Sequence, residues 1–328
     1  MHTDPFKNFI EAVTLKASAD DPDATPRRFL VTERDVAVLL ALAKHRYLMT
    51  HQVKSLIFAA CINAQRTQQR LKLLLSAGYV GRKPTFSSNG GRGDYVWHLT
   101  TKGAEFLQQN GHEIPLQSRK NGHVSSGHLL HTVAVADFRI RLEREIEHWP
   151  HLSIETYLTD SDIRSQSRRT KKESESPAMP ILLHAVTDPD TKRKLTLYPD
   201  SLVVLSTPAP NTSEPVFHRL VLVVEIDRGT EPIHTIENKA KAYAIGIEQG
   251  LFRPLKYNGI LILFVTTGEK RTLNIREAVK GTEVEKSIWV TDSYKITENE
   301  NDILSSPIWL DKENRRRAIL SKPKPAPT

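Results

Sequence analysis

The stretch 218-HRLVLVVEIDRGTE-231 decides the fold of the larger half of this sequence. Its apolar side chains run almost without interruption from Leu220 to Ile226, which is typical of a strand buried on both faces at the centre of a sheet. Two acidic residues, Glu225 and Asp227, stand at the polar end of this run. The stretch therefore predicts a central strand that ends in carboxylates.

The sequence on both sides of this strand predicts further helices and strands. Before it come an amphipathic helix over 128–149, a strand over 152–160, and a strand over 193–207 that crosses Pro199-Asp200. After it come a helix over 237–252, a strand over 258–267, a helix over 272–280 and a last strand over 286–294. The order helix, three strands, helix, strand, helix, strand predicts an α/β domain with a mixed central sheet.

Two acidic residues are expected at neighbouring strand ends of this sheet. Asp200 follows Pro199 at the turn into one strand, and Glu225 ends the next. Converging carboxylates are what a hard divalent cation such as Mg²⁺ needs, and such a cation activates water for attack on a phosphate. Lys239 and Tyr243 are four residues apart, hence on one face of the following helix. The alternative is that Asp200 and Glu225 are ordinary strand-end residues, because the pattern is short and common.

These residues resemble the "PD…(D/E)xK" signature of the PD-(D/E)XK nuclease superfamily, and the element order is similar to that of the restriction-endonuclease-like fold. Lys239 and Tyr243 resemble the "QxxxY" pattern of one branch, with Lys in place of Gln. The signature's own lysine is replaced by Asp227, which cannot polarise an attacking water. The resemblance implies either a fold retained without catalysis or a Mg²⁺-dependent endonuclease. In the latter, Asp200, Glu225 and Asp227 would hold the metal, and Lys239 and Tyr243 would complete the catalytic set.

The first third of the chain has the helical periodicity of a separate domain. Thr32 and Asp35 form a capping-box pattern at the start of a first helix. Further helices are predicted from Thr50 and within 63–78, followed by two strand-like runs around 87-SSNGGRGD-94 and a last helix within 100–111. In the turn, Asn89-Gly90-Gly91 supplies the positive φ that a hairpin favours.

The run from Arg70 to Val80 is similar to the "xLxxLxxAGYV" end of a recognition helix, so this domain resembles a winged helix-turn-helix. That resemblance implies that the third helix enters the major groove, where Gln and Asn pair with adenine and Arg with guanine. The expected DNA-binding residues are Asn63, Gln65, Arg66, Gln68, Gln69, Arg70 and Lys72 on the helix and Arg82, Lys83 and Arg92 on the hairpin. The alternatives are a merely solvated helix face and a protein–protein interaction module.

Composition limits the class of protein. The 46 Lys and Arg exceed the 38 Asp and Glu by eight, which suits a polyanionic partner. A single cysteine, Cys61, excludes a disulfide framework or a Cys-based zinc site and fits a reducing compartment. No apolar run approaches the ~20 residues of a membrane helix, and no signal peptide opens the chain. The sequence therefore predicts a cytoplasmic protein with no membrane partner.

The predicted organisation has five parts. They are a flexible leader over 1–28, the winged helix-turn-helix domain over 29–112, a linker over 113–127, the nuclease-like domain over 128–310 with a charged insertion over 165–180, and a disordered, basic and Pro-rich tail over 311–328.

Taken together, a winged helix followed by "PDSLVV … VVEIDRGTE … K…Y" resembles the plasmid replication-relaxation family, from about Phe29 to Val290. The resemblance implies a DNA-binding accessory or regulatory protein of a plasmid or integrative element, acting in replication, relaxation or mobilisation. Its winged helix would read double-stranded DNA, and its second domain would grip DNA or mediate assembly. Other replication or mobilisation proteins and a second copy of the chain are further candidate partners. The alternative from another class is a Mg²⁺-dependent endonuclease or nickase targeted by the winged helix; otherwise no cofactor is expected.

Overall fold

The computed structural model describes residues 12–14, 28–59, 63–86, 92–114, 124–164, 185–208, 217–297 and 302–321. The chain divides into two compact units, Met1–Asp137 and Phe138–Thr328. The first contains helices and a small antiparallel sheet, and the second contains a larger mixed sheet with helices. The mixed α/β class predicted from the sequence is therefore confirmed.

The first unit has a helix-strand-helix-helix-hairpin-helix order. Its elements are β1 (Ala12–Thr14), β2 (Arg28–Leu30), α1 (Glu33–His45), β3 (Leu48–Met49), α2 (Thr50–Ile57), α3 (Gln65–Ser76), β4 (Val80–Phe86), β5 (Arg92–Leu99) and α4 (Thr101–Gln109). The first half of α5 (Ser126–Glu147) also belongs to this unit. Strands β3, β5 and β4 form the sheet in that order, with all pairs antiparallel. The predicted helices and hairpin are present, and the turn Asn89-Gly90-Gly91 lies outside the described residues.

A buried carboxylate joins the start of α1 to α3. Asp35 accepts hydrogen bonds from the Thr32 backbone N–H at 2.7 Å and from the Thr32 hydroxyl at 2.8 Å, so the predicted capping interaction is present. The same carboxylate pairs with Arg70 of α3, whose Nε lies 2.9 Å from Oδ1 and whose Nη2 contacts Oδ2. Because Asp35 is fully buried, this ion pair and the cap fix α3 against α1.

One face of the small sheet is covered by α5. Tyr47 and Val96 form a buried apolar cluster with Leu129 and Val133 of that helix. The buried side chain of Gln52 in α2 adds polar contacts, because its Nε2 donates to the Val133 carbonyl at 3.1 Å and to Asp137 Oδ1 at 2.6 Å. The sheet is therefore packed on the first half of α5.

The second unit is built on a mixed sheet. Its elements are the second half of α5, β6 (Ser153–Thr159), β7 (Ala185–Thr187), β8 (Lys194–Thr196), β9 (Ser201–Pro208), β10 (Phe217–Ile226), α6 (Ile233–Glu248), β11 (Gly259–Thr266), α7 (Gly268–Ala278), β12 (Ile288–Asp292), α8 (Ser293–Thr297), β13 (Trp309–Leu310) and β14 (Arg316–Arg317). Within the described residues, seven strands form the sheet in the order β14-β13-β12-β11-β10-β9-β6.

The direction of each strand follows from its connection. Strands β6, β9 and β10 are antiparallel neighbours, whereas β10, β11 and β12 are parallel and joined through α6 and α7. Apolar residues of β9, β10 and β11 pack with α6 and α7 in the main core. The predicted order of helix, three strands, helix, strand, helix, strand is present, with the β7–β8 hairpin and β13–β14 as additions. Glu225 and Asp200 come together at the same end of β10 and β9, since Val224 is the partner of Ser201.

Two predicted features of the strands and the leader need correction. The strand expected to cross Pro199-Asp200 is interrupted there, because β8 ends at Thr196 and β9 begins at Ser201; a proline has no N–H to donate to a sheet. The leader was expected to be flexible, yet Ala12–Thr14 pairs with Arg28–Leu30; the other residues of 1–27 lie outside the described ones. The insertion 165–180, most of the linker 113–127 and residues 322–328 also lie outside them.

The expected disorder of the tail is wrong for residues 311–321. The Asp311 carboxylate accepts hydrogen bonds from the backbone N–H groups of Glu313 and Arg315, each at 2.9 Å, and from Arg317 Nε at 2.9 Å. These bonds close a loop that places β14 beside β13. The basic side chains of this segment thus neutralise a carboxylate of the fold.

Among the described residues, none of the helices is both long and apolar enough to cross a membrane.

Replacing Asp35 tests the link between α1 and α3. Asp35→Ala is expected to lower the free energy of unfolding by about 2 kcal/mol, because it removes the cap and leaves a largely buried guanidinium without its carboxylate. Urea unfolding of the purified protein measures the change. Arg34→Ala, on the exposed side of the same helix, is the control and should change it by less than about 0.5 kcal/mol. Equal effects of the two variants would contradict the assigned role.

The tail loop is expected to contribute stability that depends on pH. Although burial raises the pKa of Asp311, the hydrogen bonds from Arg317 and from the Arg315 and Glu313 backbone hold it at about 2. A carboxyl with a lowered pKa stabilises the fold above its unfolded pKa and loses this effect as the pH falls towards the folded value. The stability difference between the wild type and Asp311→Asn should therefore be full at pH 7 and shrink from about pH 4 to pH 2. A difference that does not vary with pH would contradict this account.

Candidate functional site

Helix α3 presents one polar face to solvent. Gln65, Gln68, Gln69 and Lys72 are exposed and recur at the three- and four-residue spacing of a single helix face. Arg66 is exposed beside them, while the opposite face buries Thr67, Leu71 and Leu74. Asn63 is exposed just before the helix, and its Oδ1 accepts the Gln65 N–H at 3.3 Å. This face is rich in amide and cationic groups and has no acidic residue.

Arg70 does not belong to this exposed face. Besides its ion pair with Asp35, its Nη2 donates to the Leu30 carbonyl at 3.1 Å. Its guanidinium is thereby held against the body of the unit, with 23% of the side chain exposed. Arg70 was expected among the DNA-binding residues, but its guanidinium is bound to a buried carboxylate and does not lie on the exposed polar face.

The hairpin adds basic residues next to α3. Arg82 is exposed on β4 and its guanidinium lies 4.4 Å from the centre of the Tyr95 ring on β5, a cation–π distance. Lys83 is half-buried, with Nζ 6.0 Å from the centre of the Tyr47 ring. Arg92 is the first residue of β5. The hairpin therefore carries the three basic residues expected from the sequence on its two strands.

The second unit contains a cluster around the buried carboxylate of Glu225. Lys239 Nζ donates to Oε2 at 2.9 Å, and the hydroxyl of Tyr243 donates to Oε1. Lys239 and Tyr243 both come from α6, one helical turn apart. Lys239 Nζ also lies 3.0 Å from Oε2 of Glu231, in the loop between β10 and α6. Both oxygens of Glu225 are therefore bound by side chains of the same unit.

The two other acidic residues of the predicted site also have internal partners. Asp200 Oδ2 accepts the backbone N–H of Ile226 at 2.7 Å and so ties the start of β9 to the end of β10. Asp227 Oδ2 accepts hydrogen bonds from Thr266 at 2.7 Å and from Arg271 Nε at 2.8 Å. Asp227 thus faces β11 and α7, and its pair with Arg271 is separate from the Glu225 pair with Lys239.

The electrostatics of the cluster follow from this pairing. Burial raises the pKa of Glu225 to about 7, with Lys239 lowering it and Asp200 raising it. Burial lowers the pKa of Lys239, but the carboxylates of Glu225 and Glu231 outweigh this effect and raise it, so the ammonium is retained. Burial also raises the pKa of Asp227, yet the hydrogen bonds from Arg271 and Thr266 hold it below its usual range. Burial and the negative charge of Glu225 raise the pKa of Tyr243 well above its usual value, so its hydroxyl keeps the proton that it donates.

Comparison with known proteins identifies the family. A family model described as Replication-relaxation matches residues 39–259, about two thirds of the chain. The chain belongs to the replication-relaxation family. Membership implies a protein associated with plasmid replication and relaxation. No curated protein and no solved structure matches the chain significantly.

The residues of this replication-relaxation protein do not fit the divalent cation that its nuclease-like motif implies. Among the described residues, no group of three or more His, Cys, Asp or Glu side chains is arranged to hold a metal ion. Glu225 has both oxygens bound, Asp227 is turned to Arg271, and Asp200 accepts a backbone N–H. The structure brings Asp200, Glu225, Lys239 and Tyr243 together, and it places the Asp227 carboxylate in a different set of contacts.

Sequence reasoning missed two residues of this region. Arg271 neutralises Asp227 and also donates to the Glu231 carbonyl at 2.6 Å, which fixes the loop between β10 and α6. Glu231 provides the second carboxylate beside Lys239. Nothing in the local sequence around Arg271 points to Asp227, since the partners are 44 residues apart and meet only when β11 pairs with β10. Glu231 is the last residue of the EIDRGTE motif, and its place in that motif was the sequence feature that could have marked it as a site residue.

Removing the Tyr243 hydroxyl tests the cluster of the replication-relaxation protein. Tyr243→Phe is expected to lower the free energy of unfolding by about 2 kcal/mol, because a buried carboxylate loses one of its two side-chain donors. Chemical denaturation followed by circular dichroism measures the loss. Tyr257→Phe is the matched control, since Tyr257 is half-buried against the same core; it should change stability by less than about 0.5 kcal/mol. If both variants were equally stable, the Tyr243 hydrogen bond would contribute nothing measurable.

Proposed function

We propose that this member of the replication-relaxation family is a DNA-binding accessory or regulatory protein of a plasmid or integrative element. In this proposal the first unit is a winged helix-turn-helix domain in which α3 reads double-stranded DNA. The observation that carries the proposal is the exposed face of α3, formed by Gln65, Gln68, Gln69 and Lys72 with Arg66 beside them.

The size and chemistry of this face suit the major groove. A helix of 12 residues is about 18 Å long, and the major groove of B-DNA is wide enough, about 12 Å, to admit one. Glutamine side chains pair bidentately with adenine, arginine pairs with guanine, and lysine binds phosphate or guanine. The exposed residues of α3 therefore match base edges by hydrogen bonding and the DNA backbone by charge.

The charge of the surrounding sequence supports the same partner. Residues 36–93 contain no Asp or Glu. Besides Arg70, which is paired with Asp35, they contain eight Lys and Arg, namely Lys44, Arg46, Lys54, Arg66, Lys72, Arg82, Lys83 and Arg92. Neutralisation of phosphates supplies most of the non-specific affinity for DNA, so an acid-free segment of this length favours a nucleic acid over a protein partner. Within this segment, α3 and the hairpin would form one surface, as in winged helices.

The second unit is proposed to have a restriction-endonuclease-like fold that is used without catalysis. Its strand order β6-β9-β10-β11, antiparallel up to β10 and parallel beyond, supports this fold. The bound state of Glu225 and Asp227 supports a non-catalytic role, because both carboxylates are neutralised by residues of the chain itself. The unit would grip DNA or mediate assembly with other replication or mobilisation proteins.

A second candidate function is a Mg²⁺-dependent endonuclease targeted by the winged helix. The observation that favours it is the placement of Asp200 and Glu225 at the ends of adjacent strands with Lys239 beside them. Incubation of supercoiled plasmid with the purified protein and Mn²⁺ or Mg²⁺ distinguishes the two candidates. Nicking that disappears in the Asp200→Ala, Glu225→Ala double variant would establish the nuclease. Salt-sensitive binding without nicking would support the binding function.

DNA binding is expected to have a salt-dependent component that is common to all duplexes and a sequence preference that depends on the glutamines of α3. Fluorescence anisotropy with mixed-sequence duplexes should show affinity falling steeply between 50 and 200 mM salt, by about a thousandfold if six phosphates are contacted. Selection from a random duplex pool should yield a preferred site. Gln65→Ala and Gln69→Ala should each weaken binding to that site about 5- to 100-fold, with affinity for unrelated duplexes largely kept.

The control is Gln108→Ala, which removes an exposed glutamine from α4 of the same unit and should bind the selected site as the wild type does. If the α3 variants also bind it like the wild type, the assignment of α3 as the reading helix is wrong. If the wild type shows no salt-sensitive binding to any duplex, the proposed function itself is wrong and a protein partner is indicated.

A further inference from the structure

The ammonium of Lys239 lies between two carboxylates in the second unit. Its Nζ is 2.9 Å from Oε2 of Glu225 and 3.0 Å from Oε2 of Glu231. The contact with Glu225 is a charge-assisted N–H···O hydrogen bond, and the contact with Glu231 is an ion pair. Only 26% of the Lys239 side chain is exposed, and its partner Glu225 is buried, so the contact is part of the fold and not a surface ion pair.

The other groups around Glu225 complete its neutralisation. The Tyr243 hydroxyl donates to Oε1 of Glu225, the oxygen that Lys239 does not contact. The backbone N–H of Ile226 donates to the Asp200 carboxylate on the neighbouring strand. A divalent cation on Glu225 would therefore have to share its two oxygens with the donors of Lys239 and Tyr243 or displace them. Two cations within 3 Å of the same oxygen would repel each other strongly in a buried site.

We infer that the Lys239 ammonium is the resident cation of this cluster, and that it excludes a divalent metal from Glu225 and its neighbouring carboxylates. The nuclease-like motif is then kept as a structural unit whose charge is balanced from within the chain. This inference concerns the second unit alone and does not depend on how α3 binds DNA.

The geometry favours an ammonium over a metal at this position. Mg²⁺ requires oxygens at 2.0–2.1 Å in near-octahedral arrangement, and Ca²⁺ takes six to eight oxygens at 2.3–2.6 Å. The Lys239 ammonium has three N–H donors, and two carboxylate oxygens lie within 3.0 Å of its Nζ, one from a strand residue and one from a loop residue, so it can pair with both. If the ammonium were removed, the same two oxygens would be left without their cation. The negative charge of Asp200 is also close, since it raises the pKa of Glu225.

The inference predicts that removal of the ammonium creates affinity for a metal that prefers carboxylate oxygens. The probe is Mn²⁺, and the free ion is measured by electron paramagnetic resonance as protein is titrated. Lys239→Ala in the full-length protein is expected to bind Mn²⁺ at least tenfold more tightly than the wild type. Lys239→Arg keeps a cation and should resemble the wild type. The double variant Lys239→Ala, Glu225→Gln should lose the gained affinity, which separates this cluster from carboxylates elsewhere on the protein.

Thermal unfolding gives an independent measurement, because a metal that binds only the folded state raises the melting temperature. Mn²⁺ should raise it for Lys239→Ala and leave the wild type unchanged. Should Lys239→Ala not fold in the presence of EDTA, recovery of the folded protein in Mn²⁺ would support the inference, and failure in both would overturn it. Tight Mn²⁺ binding by the wild type that Glu225→Gln abolishes would also overturn it. So would equal Mn²⁺ affinity of folded Lys239→Ala and the wild type.

Discussion

The burial of a carboxylate at the end of the central strand is the constraint on which the second unit depends. Glu225 is buried near the end of an inner strand of the mixed sheet, where an uncompensated charge would cost several kcal/mol. Both of its side-chain donors, Lys239 and Tyr243, come from α6. The buried carboxylate is therefore neutralised only when α6 packs with these two side chains directed at Glu225. The carboxylate therefore specifies the position of α6 in a way that apolar packing alone would not.

The first unit uses the same device at a smaller scale. Asp35 is fully buried at the start of α1 and receives the guanidinium of Arg70 from α3, which is two helices further along the chain. In both units a basic residue on a helix surface is turned inward to an acidic residue on a neighbouring element. Breaking either pair would leave a buried charge without its partner, and for this reason such pairs constrain helix position more strongly than their net stabilisation suggests.

The sequence allowed the order of most elements to be predicted, because hydrophobic periodicity is local. The buried run of β10, the capping pattern at Thr32 and Asp35 and the four-residue spacing of Lys239 and Tyr243 are all visible within short windows. The partners of buried charges are not local. Arg70 and Asp35 are 35 residues apart, and Arg271 and Asp227 are 44 apart. The sequence therefore placed Arg70 on the DNA-binding face and did not single out Arg271. Charge pairing also orders the tail. Asp311 binds Arg315 and Arg317, which lie in a segment that its composition had predicted to be disordered.

The net positive charge of the chain therefore has two components with different consequences. Arg70, Lys239 and Arg271 are matched by carboxylates inside their own units and contribute little to the field that a partner meets. The exposed face of α3 presents more amides than cations, so charge alone would hold it only weakly in a groove. Under the proposed function, hydrogen bonds to base edges and phosphate contacts from the neighbouring hairpin would share the binding energy. In the proposed complex, a protein arranged in this way would gain its affinity from the hairpin and the helix together and its sequence preference from the glutamines of α3.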